Sequence, residues 1–227
     1  MTGTHKTLKA LFFCLLPAIT PAAGAVDLQI DITSGIGQTL PDLSGAVLYL
    51  NSADPAQTHS PVSPDTRVEM AQQDLQFVPF IRVLQKGTHV AFPNRDDVAH
   101  HVYSYSRNNA FEFKLYKGRE VPSKSFDVSG QVSLGCNIHD WMEAYIYVVD
   151  TPWFTQATQQ HAQLENVPEG EYTLHFWHPG IDRRETIAVP LSLTGQKQSQ
   201  AISLSYEIKP TYQATAPEDQ FDESSDY

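Results

Sequence analysis

Apolar and polar residues alternate along most of the chain from Val26 onward, which restricts the folds open to it. Every second residue from Val26 to Ile32 is apolar, and shorter runs of the same kind continue as far as Tyr206. A period of two places successive side chains on opposite faces of a β-strand. Turn residues such as Lys86-Gly87 and Ser129-Gly130 separate the runs. The pattern predicts an all-β fold of packed antiparallel sandwiches.

In the last third of the chain, two segments depart from the alternation. Thr155 to Gln163 is polar and follows Thr151-Pro152, and it predicts a single short helix among the strands. Beyond Lys209 the chain is rich in acidic residues and has almost nothing apolar. Such a composition cannot bury enough surface to fold, so residues 209–227 are predicted to form a disordered acidic tail.

The balance of charge excludes one large class of function. The 227 residues include 15 Lys and Arg against 26 Asp and Glu, which gives a formal net charge of −11. Nucleic-acid binding depends on basic surfaces that neutralise phosphates, so we expect no nucleic-acid partner. The hydrophobic content of 41% and aromatic content of 11% are sufficient for a packed core.

Residues 1–25 have the composition of a secretory signal peptide. Lys6 and Lys9 form a positive start, residues 10–19 are apolar, and Ala23-Gly24-Ala25 is a small-residue cleavage motif. An apolar run of this length is too short to span a bilayer, which takes about 20 residues. We therefore expect export to the periplasm, with no membrane span in the mature chain.

Cleavage near Val26 would leave one of the two cysteines, Cys136. The other, Cys14, follows the bulky Phe13 and so does not suit lipid attachment. A lone thiol in an oxidising compartment has no disulfide partner in its own chain, and its presence calls for another role. Loss of the signal peptide also leaves thirteen basic against twenty-six acidic residues, a net charge of −13.

Cys136 begins a Cys-x2-His-x2-Met motif that continues with His139 and Met142, between two predicted strands. His100, at the start of an earlier strand, offers a second imidazole. A thiolate, two imidazoles and a weak thioether suit copper that cycles between Cu(I) and Cu(II), whereas structural zinc sites close with a fourth Cys or His. Each residue alone is commonly structural, but the joint spacing favours a metal site.

His100 is followed directly by His101, and the two are alternatives for one ligand position. Neighbouring residues of a strand face opposite ways, so only one of them should face the metal. We predict that His100 is the ligand, with His101 as the alternative.

The segment from Val68 to Asp150 resembles the cupredoxins, the blue copper proteins, and most closely their amicyanin and plastocyanin group. Leu75–Pro79 and Lys86–Phe92 are similar to that family's opening strands, and Asn94–Asp96 with His100-His101-Val102 to its first-ligand loop. The Cys-x2-His-x2-Met spacing is similar to amicyanin's short ligand loop. The whole chain also resembles proteins labelled methylamine utilization protein.

The resemblance implies a Greek-key β-sandwich that holds one type 1 copper ion. It assigns His100 as the buried ligand, Cys136 as the thiolate, His139 as the ligand near the surface and Met142 as the axial ligand. Two positions differ from the family. His101 replaces an Asn that bridges the ligand loops, and we expect its ring to do the same. Asp140 replaces a Pro after the second ligand His, and Trp141 either restores an apolar contact there or packs inward.

The flanks predict a second, smaller β module. Ser44–Leu50 and Val167–Leu174 loosely resemble the sandwich of carboxypeptidase regulatory-like modules. That resemblance implies an accessory module built from residues 26–64 and 151–208 around a copper domain at 65–150. The alternative is that these strands extend one sandwich.

The resemblance implies an electron carrier, not an enzyme. Its redox partner would be a c-type cytochrome or an amine dehydrogenase with a basic patch that complements the acidic chain. A multicopper enzyme needs further His clusters, and the remaining pair, His175 and His178, is predicted to lie on different faces of one strand. A copper carrier or chaperone, and a structural β module without metal, are the alternatives.

Overall fold

The computed structural model describes residues 24–57, 67–107, 109–118, 120–181, 186–211 and 213–215. Its regular structure over these residues is all strand, apart from one 3-10 turn at Pro55–Gln57, and the predicted all-β class is therefore confirmed. The strands are β1 (Ala25–Ser34), β2 (Val47–Ser52), β3 (Arg67–Glu69), β4 (Ala71–Gln73), β5 (Gln76–Val78), β6 (Ile81–Gln85), β7 (Thr88–Ala91), β8 (His100–Ser104), β9 (Phe111–Tyr116), β10 (Ser123–Phe126), β11 (Gly130–Cys136), β12 (Glu143–Val149), β13 (Phe154–Gln156), β14 (His161–Pro168), β15 (Gly170–Trp177), β16 (Ile187–Leu193) and β17 (Lys197–Leu204).

The helix predicted for Thr155 to Gln163 is wrong. The segment contains β13, a turn and the start of β14. Strand β13 pairs with β2, and the Gln156 amide donates to the carbonyls of Gly45 (3.0 Å) and Ile81 (3.1 Å). These partners are distant in sequence, and they outweigh the local preference of a polar segment.

The central part of the chain, β3 to β12, forms a sandwich that we call the central sandwich. Its larger sheet has the strand order β6-β12-β11-β8-β9, and a smaller sheet has the order β10-β7-β3. Apolar side chains from both sheets meet in one core, in which Phe77, Phe92 and Phe126 are fully buried. The hairpin β4–β5 adds Phe77 to this core.

The remaining strands form a second sandwich, which we call the flanking sandwich. One sheet has the order β14-β1-β17 and the other the order β13-β2-β15-β16. The alternation seen in the sequence explains its core, because Val26, Leu28, Ile30 and Ile32 of β1 are each no more than 3% exposed. The described chain thus starts in this sandwich, passes through the central one after β2, and returns at β13.

A small cluster joins the outer faces of the two sandwiches. Val47, Ile81, Tyr147, Val149 and Trp177 are buried against one another. Tyr147 and Trp177 come from different sandwiches, and their ring centroids lie 4.7 Å apart. Alternate residues of β12 therefore serve two cores, since Ile146 and Val148 face the central core.

Both ends of the chain lie largely outside the described residues. The predicted signal peptide does so except for Gly24 and Ala25, as does the acidic tail beyond residue 215. The described start of the tail contacts the central sandwich, because the Gln213 amide donates to the Phe77 carbonyl (2.5 Å) and the Gln76 amide to the Ala214 carbonyl (3.1 Å). Across the part of the chain described here, no helix is long and apolar enough to cross a membrane.

Candidate metal centre

Two paired strands and one short loop bring three ligand-type side chains together. His100 is the first residue of β8, and Cys136 is the last residue of β11. These strands pair antiparallel, with Cys136 opposite Val102, so His100 lies close to Cys136. His139 lies in the loop between β11 and β12, which is closed by two backbone bonds: Met142 N–H to the His139 carbonyl (2.9 Å) and Cys136 N–H to the Met142 carbonyl (3.2 Å).

The ligand atoms of these residues converge on one point. Cys136 Sγ lies 3.9 Å from His100 Nδ1 and 3.6 Å from His139 Nδ1, and the two Nδ1 atoms are 3.2 Å apart. All three atoms fall within 4.8 Å of one another, which is close enough to hold one metal ion. His100 and Cys136 are buried, whereas His139 is half-buried. Solvent therefore reaches the site from the His139 side.

Met142 lies in the same core cluster as Cys136 and is 1% exposed. Its backbone closes the ligand loop through the bonds to His139 and Cys136 described above. The thioether is thus buried in the core that contains Cys136, and axial ligation by Met142 stays a prediction.

His101 is directed away from the cluster. Its Nε2 lies 2.8 Å from Glu112 Oε1 and its ring packs against Tyr103, while its Nδ1 is buried without a hydrogen-bond partner. We expected its ring to bridge the two ligand loops, and this is wrong. The bridge is made by its backbone instead, because its carbonyl accepts the N–H of Asn137 (3.3 Å).

Asp96 contacts the cluster directly, and the sequence did not predict this contact. Its Oδ2 lies 2.8 Å from Nε2 of His100, the ring nitrogen that faces away from Cys136. Its carboxylate also accepts the backbone N–H groups of Asp74 (2.6 Å) and Leu75 (3.1 Å). The only signal in the sequence was its place four residues before His100, and Asp97 beside it is equally acidic.

The surroundings of the cluster favour a thiolate at Cys136. Burial would raise the pKa of Cys136, but the hydrogen bond with His100 and the backbone N–H groups of His101, Ile138 and His139 lower it overall. Burial would lower the pKa of His100, but its bonds with Cys136 and Asp96 raise it. Burial, followed by the charge of His100, lowers the pKa of His139. A metal ion prefers a deprotonated thiol, and these contacts prepare one.

Trp141 packs inward over the site. Its Nε1 donates to the Leu75 carbonyl (3.1 Å), and its ring centroid lies 5.2 Å from that of His139. Asp140 beside it is exposed, and Ile138 is 47% exposed. The surface around His139 therefore combines an apolar and an acidic side chain.

The second histidine pair does not form a metal site. His175 stacks on Tyr49, with ring centroids 4.6 Å apart, and its Nε2 lies 3.2 Å from the Asn51 amide. His178 accepts the Gly180 N–H at Nδ1 (3.1 Å), and its Nε2 lies 3.3 Å from Thr211 Oγ1. Among the described residues, the grouping of His, Cys, Asp and Glu atoms suited to a metal is His100, Cys136 and His139.

Comparisons with known proteins find similarity at the level of solved structures. No family model matches the chain, and no curated protein matches it. A purple cupredoxin from Nitrosopumilus maritimus is 19% identical with a TM-score of 0.33, over 37% of this chain and 100% of that chain. A reduced mutant of amicyanin is 17% identical with a TM-score of 0.35, over 45% and 98% of the two chains.

A Cu-containing nitrite reductase from Thermus scotoductus is 20% identical with a TM-score of 0.36, over 44% of this chain. The match spans 27% of the length of that enzyme. Similarities this weak add no support for a particular chemistry. The chemistry proposed below depends on the side chains of this protein.

Proposed function

We propose that this chain is an exported cupredoxin that binds one type 1 copper ion and carries single electrons between redox partners. The observation that carries the proposal is the convergence of Cys136 Sγ with the Nδ1 atoms of His100 and His139 in a largely buried site. Thiolate with two imidazoles is the equatorial ligand set of blue copper sites. The proposed compartment is the periplasm.

The donor set fits copper better than zinc. His100, Cys136 and His139 would hold the ion, and Met142 would supply a weak axial thioether. Zinc would take the same three residues, but structural zinc sites add a fourth Cys or His, and His101, which follows His100 in the chain, is bound to Glu112. Bound copper would supply a one-electron couple between Cu(I) and Cu(II).

The protein's part in such a cycle is to hold the ligands in place. His100 and Cys136 lie on paired strands, and the His139 loop is closed by backbone hydrogen bonds. Ligands fixed in this way need little rearrangement when the charge on the metal changes, which favours fast electron transfer. These features support a carrier over an enzyme. An electron carrier needs only a metal held in place, whereas an enzyme also needs a position for its substrate beside the metal.

The half-buried His139 is the proposed route for electrons to a partner. Ile138 and Asp140 beside it are exposed, and the chain without residues 1–25 has a net charge of −13. Opposite charge accelerates encounter, so the partner we propose has a basic face, as a small c-type cytochrome or an amine dehydrogenase would. The rate of electron transfer to the partner should then fall as salt screens the attraction.

We also propose that the two sandwiches are two modules, with the copper domain at 65–150 set into an accessory module of residues 26–64 and 151–208. Each sandwich has a core of its own, which supports this division. The segment from 209 onward is the proposed acidic tail.

The test is the addition of Cu(II) to the chain that begins at Val26, followed by absorption spectroscopy and voltammetry. An intense blue band with reversible one-electron reduction is expected. Copper that passes readily to a chelator without a reversible couple would indicate a copper carrier, and absence of binding would indicate a structural module; either result contradicts the proposal.

A further inference from the structure

The turn between β4 and β5 contacts both ligand segments of the proposed metal centre. Asp74 and Leu75 form the turn, and both have positive φ angles, 55° and 56°. This conformation is uncommon for residues other than glycine. It directs two successive backbone N–H groups at the carboxylate of Asp96, at 2.6 Å and 3.1 Å.

Asp96 also contacts the buried ligand His100. Its Oδ2 lies 2.8 Å from His100 Nε2, and the two side chains are 12% and 0% exposed. His100 Nδ1 faces Cys136 and His139. An imidazole that gives the lone pair of Nδ1 to a metal carries its hydrogen on Nε2, so this hydrogen is donated to Asp96.

The same turn reaches the second ligand loop. The Leu75 carbonyl accepts the indole N–H of Trp141 (3.1 Å), and the Trp141 ring packs against His139. The turn thus connects the two imidazole ligands through different groups: a carboxylate on one side and an indole on the other. The ring of His101, which we expected in this bridging role, is bound to Glu112 instead.

We propose that Asp96 is the positioning residue of the metal centre: it fixes the Nε2–H tautomer of His100, presents Nδ1 to the metal, and holds a negative charge that favours Cu(II) over Cu(I). The inference rests on the proposed copper function. Carboxylates bound to ligand histidines commonly orient the ring and raise its basicity. Here the carboxylate is itself held by the two N–H groups of the β4–β5 turn.

The first test compares Asp96→Asn with Asp97→Asn. The first variant keeps an oxygen acceptor for His100 and removes the charge, and the second removes the same charge from an exposed neighbour. We expect Asp96→Asn to bind Cu(II) about 10-fold more weakly, with Cu(I) binding unchanged. At 59 mV per tenfold for one electron, the reduction potential would rise by about 60 mV. Asp97→Asn should shift the potential much less.

Asp96→Glu supplies the rescue, because it restores a carboxylate and should return the potential towards the wild-type value. Equal potentials for wild type, Asp96→Asn and Asp97→Asn would overturn the inference. Equal shifts of the reduction potential in Asp96→Asn and Asp97→Asn would also overturn it, because they would reflect the loss of one negative charge from the protein and not the contact with His100.

The second test uses the metal-free wild-type protein, so its result does not depend on whether a variant folds. Nitrogen-15 NMR of His100, recorded at a pH at which the ring is neutral, should find the hydrogen on Nε2 in a hydrogen bond, with Nδ1 unprotonated. A hydrogen on Nδ1 alone would contradict the tautomer assignment. If the protein bound no copper at all, the proposed function would fail, but this tautomer measurement would still decide whether Asp96 fixes His100.

Discussion

Each sandwich contains a histidine that is no more than 1% exposed, and these two histidines have opposite electrostatic surroundings. His178 of the flanking sandwich accepts the Gly180 N–H and lies beside the Thr211 hydroxyl, and burial lowers its pKa to about 4. His100 of the central sandwich faces Cys136 with one nitrogen and Asp96 with the other, and these bonds raise its pKa despite burial. Burial alone therefore does not decide the direction in which the pKa of a histidine shifts; the partners of its two nitrogens do.

The two cores show the same contrast on a larger scale. The flanking core is built from apolar side chains, most of them on its strands. The central core also contains Cys136 and Met142, with the buried His100 beside them, and it holds a polar network in which the Tyr116 hydroxyl donates to Gln72. Buried polar groups are costly unless they are paired, and the Gln72 side chain is paired at both ends, since its amide nitrogen also donates to the Met70 carbonyl.

The largest expected effect is the loss of colour on replacing the thiolate. Cys136→Ser should abolish the blue band, because that band arises from charge transfer between thiolate and copper. The fold should remain, since the two side chains are nearly the same size. Absorption after Cu(II) addition measures the effect, with thermal unfolding as the check on the fold. An unchanged spectrum would show that the metal lies elsewhere.

Substitution of His100 and of His101 in turn tests which of the two rings is directed at the metal site. His100→Ala should lose the colour and weaken Cu(II) binding. The loss should be well over the roughly 10-fold that is typical when a residue hydrogen-bonded to a ligand is removed. His101→Ala removes a ring bound to Glu112 and should only shift the spectrum. Copper titration of both variants measures this. Reversed results would mean that the first-ligand loop is assigned one residue out of register.

His178 predicts a pH dependence of stability that belongs to the flanking sandwich. Its pKa of about 4 in the folded chain lies below its ordinary value of 6.5, so the unfolded chain binds the proton more readily between these values. The contribution of His178 to the free energy of unfolding is therefore fully present above pH 6.5. It is lost as the pH is lowered towards 4, by at most about 3 kcal/mol.

Urea unfolding of metal-free wild type and His178→Gln across pH 4 to 7 isolates this contribution. The variant should be less stable at pH 7 and should lose the part of the pH dependence that comes from His178. Identical pH profiles for the two proteins would show that His178 is not buried as a neutral ring. Copper binding at pH 7 should be unchanged in the variant, since His178 lies in the other sandwich.

The smallest expected effect concerns the axial position. Met142→Gln should keep a coloured centre but lower its reduction potential, because a harder oxygen donor favours Cu(II) over Cu(I). Voltammetry of the two proteins measures the shift. An unchanged potential would assign Met142 to the core alone and leave three protein ligands.

The sequence predicted those features that depend on short-range patterns. Alternation over residues 26–32 predicted β1 and its buried face, because the side-chain period of a strand is fixed by its geometry. The candidate ligands Cys136, His139 and Met142 could be proposed because they are close along the chain. The choice of His100 over His101 used the same geometry, and the structure directs only His100 at the cluster.

The features that the sequence could not predict depend on partners distant along the chain. Asp96 and Asp97 are equivalent in the sequence, and only the position of the β4–β5 turn distinguishes them. The expected helix at residues 155–163 failed because β2, far earlier in the chain, pairs with β13. His101 was expected to bridge the ligand loops, but Glu112 on the neighbouring strand holds its ring.

X-ray absorption spectroscopy of the copper-loaded chain tests the central claim most directly, because it reports the atoms bound to the metal. The account predicts one short bond from copper to sulfur, assigned to Cys136 by its loss in Cys136→Ser, together with two imidazole nitrogens from His100 and His139. A copper ion bound only by nitrogen and oxygen, or a short sulfur bond that survives Cys136→Ser, would contradict it.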